Sequence, residues 1–408
     1  MKIEKTIVRE LRPLGLLGIL GLMGLGLQGC SSEDAEEQTV AIPIELTTYV
    51  AGYQDGSGEN WESRRAGITR AWNPPSGFEE KDWRDKIIGI NFTQDGKEPK
   101  QGYFSCGGGT WRSTVEITSE EIEAPFYLYG YTPHTTGVTC EIQDLDNNTS
   151  EASEFSRGAV MTLRNLPVVT SQDLCVVVGA KNGRTDYKAD ADYSVTGLKQ
   201  GDFAYTADIV SKDGATPGNR VYLLFDHLYA ALRIRMKVDG TYNAMRRIKL
   251  KELRLRTKQG STDVPKKTDV AITLEATNDG TTPIKRDGSG REKIVYTPSG
   301  SEVGDSRVYR NSTGLELTTA FTDYFASHFV AQDVTTLILT SVYDVYDTNY
   351  NLLREDCEAE NTIVLEELIS EQTYTLRGRR YSIDMVIMPT YLYVLSDPDL
   401  ENPMAIVN

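Results

Sequence analysis

Histidine is nearly absent from this chain of 408 residues: only His134, His227 and His328 occur. So few imidazoles, none of them in an HExxH run, leave little with which to build a zinc centre. Cysteine is also scarce, at five, and Cys106, Cys140, Cys175 and Cys357 form no CxxC pair. No disulfide framework is expected from such spacing. Cys175, inside the apolar run Leu174–Ala180, reads as a small buried hydrophobe. Basic residues are outnumbered, with 43 Lys and Arg against 59 Asp and Glu, for a net charge of −16. That balance argues against nucleic-acid binding and favours solubility. No GxSxG elbow and no P-loop occur.

Local candidates for chemistry are weak when weighed residue by residue. Gly288-Ser289-Gly290 lacks the strand–helix setting of a nucleotide loop. Asp144-Leu145-Asp146-Asn147-Asn148 begins like a calcium loop, but Thr149 stands where glycine is needed and Phe155 where a bidentate glutamate belongs. Cys106 lies beside three glycines with nothing local to activate a thiolate. His227 follows Asp226 in an apolar stretch and reads as a structural histidine bonded to backbone. The carboxylates are many and scattered. The expectation is a protein that is not an enzyme and that takes neither metal nor cofactor.

What is present is strand pattern. Val221–Val238 (VYLLFDHLYAALRIRMKV) opens apolar and then alternates, with Leu232, Ile234, Met236 and Val238 opposite Arg233, Arg235 and Lys237. Period two marks a half-buried strand. Asp239-Gly240 gives a turn signal and Arg247–Arg256 alternates again, which predicts a hairpin with one apolar and one cationic face. Short strands also fit Ala41–Val50, Lys86–Thr93, Gln101–Trp111, Ala124–Thr132, Gly158–Leu166 and Leu174–Ala180. Later ones fit Val270–Glu275, Lys293–Thr297, Gly314–Thr319, Thr335–Val342, Asn361–Leu365 and Thr373–Ile387. Without a convincing amphipathic helix, this predicts an all-β chain of two tandem sandwiches. Their expected spans are 41–216 and 217–408. Tyr391–Leu395 resumes the pattern after Pro389, and the tail to Asn408 carries Met404, Ile406 and Val407. This last stretch is either docked at home or free to pair elsewhere.

The N-terminus reads as an export signal. Lys2, Lys5, Arg9 and Arg12 precede the apolar and glycine run Leu14–Leu27, too short for a membrane span of about 20 residues. Leu27-Gln28-Gly29-Cys30 resembles the lipobox of bacterial lipoproteins. The resemblance implies removal of residues 1–29, acylation of Cys30 with palmitate among the chains, and attachment to the cell outer membrane. Residues 30–40 then form an acidic tether of the kind that accompanies surface display. The segment Ala51–Pro75 has no periodicity and holds Arg64, Arg65 and Arg70, an accessible substrate for a protease or simply a charged loop.

Several pieces together resemble the fimbrillin family, the type V pilins and pilin-like lipoproteins of Bacteroidales. They are the lipobox at Cys30, the early strand, and Thr69-Arg70-Ala71 in the loop after it. Phe126–Tyr131 closed by Pro133-His134, Asp173-Leu174, and Phe225-Asp226-His227 complete the set. The resemblance implies transthyretin-like sandwiches and arginine-specific cleavage after Arg65 or Arg70 within a removable segment 41–72. It also implies filling of the vacancy by a strand from another fimbrial subunit. Residues 391–407 are the candidate donor, presenting Tyr391, Tyr393, Leu395, Met404 and Ile406. Stalk, tip, anchor and free adhesin remain open, with a host or bacterial surface ligand as a further partner. The alternative is a glycan-binding surface lipoprotein of a nutrient-uptake system, using Trp61, Trp72, Trp83 or Trp111 as sugar platforms.

Overall fold

The computed structural model describes residues 44–50, 54–55, 88–94, 97–107, 110–115, 126–134, 136–144, 158–183, 200–205, 219–276, 283–368 and 373–388. Its strands begin with β1 (Ile44–Val50), β2 (Gln54–Asp55), β3 (Ile88–Thr93), β4 (Lys100–Gly107), β5 (Thr110–Ser113), β6 (Phe126–Thr132) and β7 (Thr139–Asp144). They continue with β8 (Ala159–Pro167), β9 (Val169–Thr170), β10 (Cys175–Gly183), β11 (Ala204–Tyr205), β12 (Asn219–His227) and β13 (Ala230–Val238). A short helix α1 (Gly240–Met245) precedes β14 (Arg247–Gln259), β15 (Thr262–Asp263), β16 (Lys267–Leu274), β17 (Ile294–Pro298) and β18 (Ser306–Glu316). Then come β19 (Thr322–Val330), β20 (Thr336–Tyr346), β21 (Leu352–Val364), α2 (Leu365–Leu368) and β22 (Arg379–Ile387). The chain is all-β, as its pattern predicts.

Four sheets result. The largest runs β10-β12-β1-β5-β4-β3-β6-β11, and β10 also pairs with β6, so it curls back on itself. Aromatic alternation explains β6: Tyr127, Tyr129 and Tyr131 enter the core shared with a second sheet, β17-β16-β8-β7. That core also takes Met161 and Leu163 from β8, Val176 and Val178 from β10, and Val270 and Ile272 from β16. Each such side chain contributes about 1.5–3 kcal/mol by leaving water. Leu128, on the other face of β6, is buried as well. Close approach of β3 and β6 requires glycine, since a Cβ on Gly89 would stand 2.5 Å from the Tyr131 ring. The second sheet joins β7 and β8 to β16 and β17, which follow more than 90 residues later in the sequence.

The remaining sheets, β2-β22-β13-β19-β9 and β15-β14-β20-β21 with β18 beside β14, enclose a separate core. Leu232, Ile234, Met236 and Val238 from β13 meet Ile248, Leu250, Leu253 and Leu255 from β14 there. These are the residues whose alternation the sequence shows, but the expected hairpin does not form. Strand β13 pairs with β19 and β22, whereas β14 pairs with β18 and β20. Asp239 caps α1, its Oδ1 accepting from the Thr241 and Tyr242 amides at 2.9 and 3.1 Å. The helix carries the chain across the sandwich, so the two apolar faces cover each other instead of lying side by side.

The cationic face of β14 is neutralised. Lys251 meets Asp344, Glu355 and Asp356, Arg254 meets Glu252 and Glu358, and Arg256 meets Asp263, Asp305 and Glu360. Several of these partners lie on β21, so the side chains reach across β20 and cover it. Buried on both faces, β20 reads as ten consecutive buried residues. On β13, Arg235 binds Asp384 through two bonds of 2.6 and 2.7 Å, and Lys237 lies 4.5 Å over the Phe321 ring.

Candidate functional site

Val221–Val238 is one apolar stretch in sequence but two strands in space. Strand β12 lies in the curled sheet between β10 and β1, and the chain leaves that sheet at Leu228-Tyr229 to begin β13 in another. Both crossover residues are buried and bonded. The Leu228 amide donates to the Leu174 carbonyl at 2.8 Å, and the Tyr229 hydroxyl donates to the Pro167 carbonyl at 2.8 Å. Tyr296 donates to the Leu228 carbonyl at 2.7 Å.

Asp226 and His227 sit at this corner. Asp226 Oδ1 accepts from the His227 amide at 2.9 Å, and its Oδ2 accepts from Arg377 Nη1 at 2.8 Å. The same Nη1 donates to the His227 carbonyl at 2.9 Å. The other side of the guanidinium holds Glu292, Nε on Oε2 at 2.5 Å and Nη2 on Oε1 at 2.7 Å. Burial works against the Arg377 charge, but Asp226 and Glu292 outweigh it and push the guanidinium pKa up. The turn bearing Arg377 is fixed: Thr375 Oγ1 donates to the Ala331 carbonyl at 2.8 Å, and the Gly378 amide donates to the Tyr229 carbonyl at 2.9 Å. Gly378 has φ of +63°, a conformation that glycine takes without a Cβ clash.

Behind this network His227 Nδ1 lies 3.0 Å from Asp173 Oδ1 and 3.2 Å from Cys175 Sγ. The expected structural histidine is thus held by side chains as well as by its backbone, and Cys175 sits in a polar knot, not among hydrophobes alone. The three ligand-type atoms lie within 4.8 Å of one another, giving three of the four donors that a tetrahedral zinc takes. All three residues are buried. Cys140, with its thiol pushed up to about 12 by burial, accepts from Asn91 Nδ2 at 3.1 Å.

In front of Arg377 an open cleft of about 460 Å³ is lined by Arg286, Arg291, Glu292, Tyr374 and Arg379 among others. Arg291 donates to Asp333 at 2.5 Å and its guanidinium lies 5.6 Å from the Tyr374 ring centre.

The structure brings the dispersed motif residues together. Strand β10 pairs with β6 through Cys175↔Thr132 and Val176↔Tyr131, and with β12 through Cys175↔His227. Tyr131 and His134 meet at 2.7 Å around a cis Thr132-Pro133 bond. Strand β1 lies parallel to β12, from Ile44↔Asn219 to Val50↔Phe225, with β5 on its other side through Ile44↔Trp111. Cys30, Arg65, Arg70, Trp61, Trp72, Trp83, Tyr391, Tyr393, Leu395, Met404 and Ile406 lie outside the described residues. Arg377 and Glu292 escaped the sequence reading; the one available signal was the pair Asp226-His227 interrupting an apolar run.

No family model matches the chain, and no curated protein matches it. Among solved structures it is similar to a candidate cell adhesion protein from Bacteroides uniformis, at 12% identity and a TM-score of 0.36, covering 86% of this chain and 94% of that one. A candidate cell adhesion protein from Bacteroides ovatus aligns at 12% identity and a TM-score of 0.29, covering 85% and 92%. A fimbrial protein from Bacteroides ovatus aligns at 10% identity and a TM-score of 0.26, covering 85% of this chain and 50% of that one. Likeness at this level bears on neither ancestry nor activity.

Proposed function

We propose that the chain is an adhesive subunit of a cell-surface fimbria, a binding and structural protein that performs no catalysis. It reaches the outer membrane through lipid on Cys30 and loses its first strand by cleavage after Arg65 or Arg70. The observation that carries this reading is the place of β1. It is internal to its sheet, parallel to β12 along seven positions and bridged to β5 through Ile44↔Trp111. Its removal would leave a row of unpaired amides and carbonyls on β12 and open the sheet between β12 and β5.

Such a slot accepts an extended segment from another molecule by main-chain pairing, with alternate side chains giving specificity. Residues 391–407, with Tyr391, Tyr393, Leu395, Met404 and Ile406, are the donor in this reading. The contact is head-to-tail and does not close, so it propagates as a filament. Deleting residues 391–408 tests the assignment. The expected result is a processed protein that stays monomeric; a ladder of oligomers unchanged by the deletion would remove these residues from the account.

A further inference from the structure

The chain treats its cations in two ways. On the β14 face Lys251, Arg254 and Arg256 each meet two or more carboxylates. In the cleft in front of Arg377 the pairing is less complete: Arg377 meets Asp226 and Glu292 and Arg291 meets Asp333, but Arg286 shares Glu292 with Arg377 and Arg379 has no close carboxylate among the described residues. Four guanidiniums, Arg286, Arg291, Arg377 and Arg379, line it together with a single carboxylate, Glu292. Glu292 is already held in two bonds by Arg377, so it offers little repulsion to an incoming anion. Arg286 stands 4.0 Å from it, and Arg291 turns to Asp333. Arg379 makes no ion pair and no side-chain hydrogen bond among the described residues. Counting Asp226, Asp333 and Glu292, the four arginines still exceed the carboxylates by one, in a chain with 59 acidic and 43 basic residues.

We propose that this cleft binds the carboxylate of an acidic sugar. A guanidinium offers a planar fork of donors that matches a carboxylate in two parallel bonds, and a concave site strengthens them by excluding water. The volume, about 460 Å³, is that of a small-ligand site and suits one or two sugar rings. Tyr374, with the Arg291 guanidinium over its ring, adds an aromatic wall against which the apolar part of a sugar can pack. An extended acidic peptide fits less well. The walls are turns and the first residue of β22, whose edge β2 covers through Gln54↔Arg379 in the uncleaved chain used for titration, so no open strand edge is offered there for main-chain pairing.

The inference rests on the adhesive part of the function proposed above, and strand exchange plays no part in it. The test is calorimetric titration of the full chain with 3′-sialyllactose against lactose, glucuronic acid against glucose, and a glutamate-rich peptide. Acidic sugars are expected to bind and their neutral counterparts not to, with affinity falling as salt is raised. Arg379→Gln and Arg286→Gln, with melting temperature checked, should each weaken binding about tenfold, the loss of one charge-assisted contact. Arg254→Gln, on the β14 face, should leave it unchanged. Equal binding of lactose, indifference to Arg379→Gln, binding of the glutamate peptide alone, or no binding at all would each overturn the proposal. If acidic sugars bind but cells lacking the protein adhere normally, the adhesive reading fails while the cleft assignment stands.

Discussion

Arg377 and Asp226 are 151 residues apart in sequence and 2.8 Å apart in space, with side chains 1% and 6% exposed. The pair ties the turn before β22 to the corner where the chain leaves the curled sheet. Glu292 completes it from a third segment. Three distant pieces of chain are therefore joined at one guanidinium.

Removing that guanidinium should be costly. Arg377→Leu takes from the buried Asp226 and the half-buried Glu292 the guanidinium that both hold, and breaking a buried pair in this way costs about 3–5 kcal/mol. Urea denaturation should show the midpoint falling. The triple variant Arg377→Leu, Asp226→Asn, Glu292→Gln should recover part of the loss, because no uncompensated charge then remains.

His328 predicts an acid-side loss of stability. Burial lowers its pKa from 6.5 to about 4 in the folded chain. Between those values the unfolded chain binds the extra proton, so this contribution is complete above about pH 6.5 and fades as pH falls towards 4. Its size is on the order of 3 kcal/mol. Denaturation midpoints measured across this range for the parent and for His328→Asn should differ in slope, the variant being flatter.

Strand β21 ends its sheet, and its exposed residues include Glu355, Asp356, Glu358 and Glu360. Acidic side chains on an edge discourage edge-to-edge pairing with another copy. Replacing Glu358 and Glu360 by threonine should promote self-association of the chain, read by light scattering, while each lost surface ion pair alone costs under about 1 kcal/mol.

Alternation made β13 and β14 legible, down to the residues that enter the core. It could not name their partners, because period two records which face is buried and not what covers it. Asp239-Gly240 illustrates the limit: the same dipeptide that signals a hairpin turn here caps a helix that crosses the sandwich. Most of β21 went unread because LREDCEAEN is polar on both faces, so a strand stabilised by a charge ladder leaves no apolar period. Strands β7 and β19 were missed as well. The Arg377 network was invisible for a different reason. Its members are 85 and 151 residues from the arginine, and only the fold brings them together.

The proposed assembly turns on removal of β1. The measurement that tests it most directly is the N-terminus of the protein recovered from the surface of its native cell, together with its mobility in SDS without heating. The expected protein begins at Ala66 or Ala71, is free of lipid, and runs as a ladder of detergent-resistant oligomers. A monomer beginning at acylated Cys30, with Ile44–Val50 still attached, would contradict it.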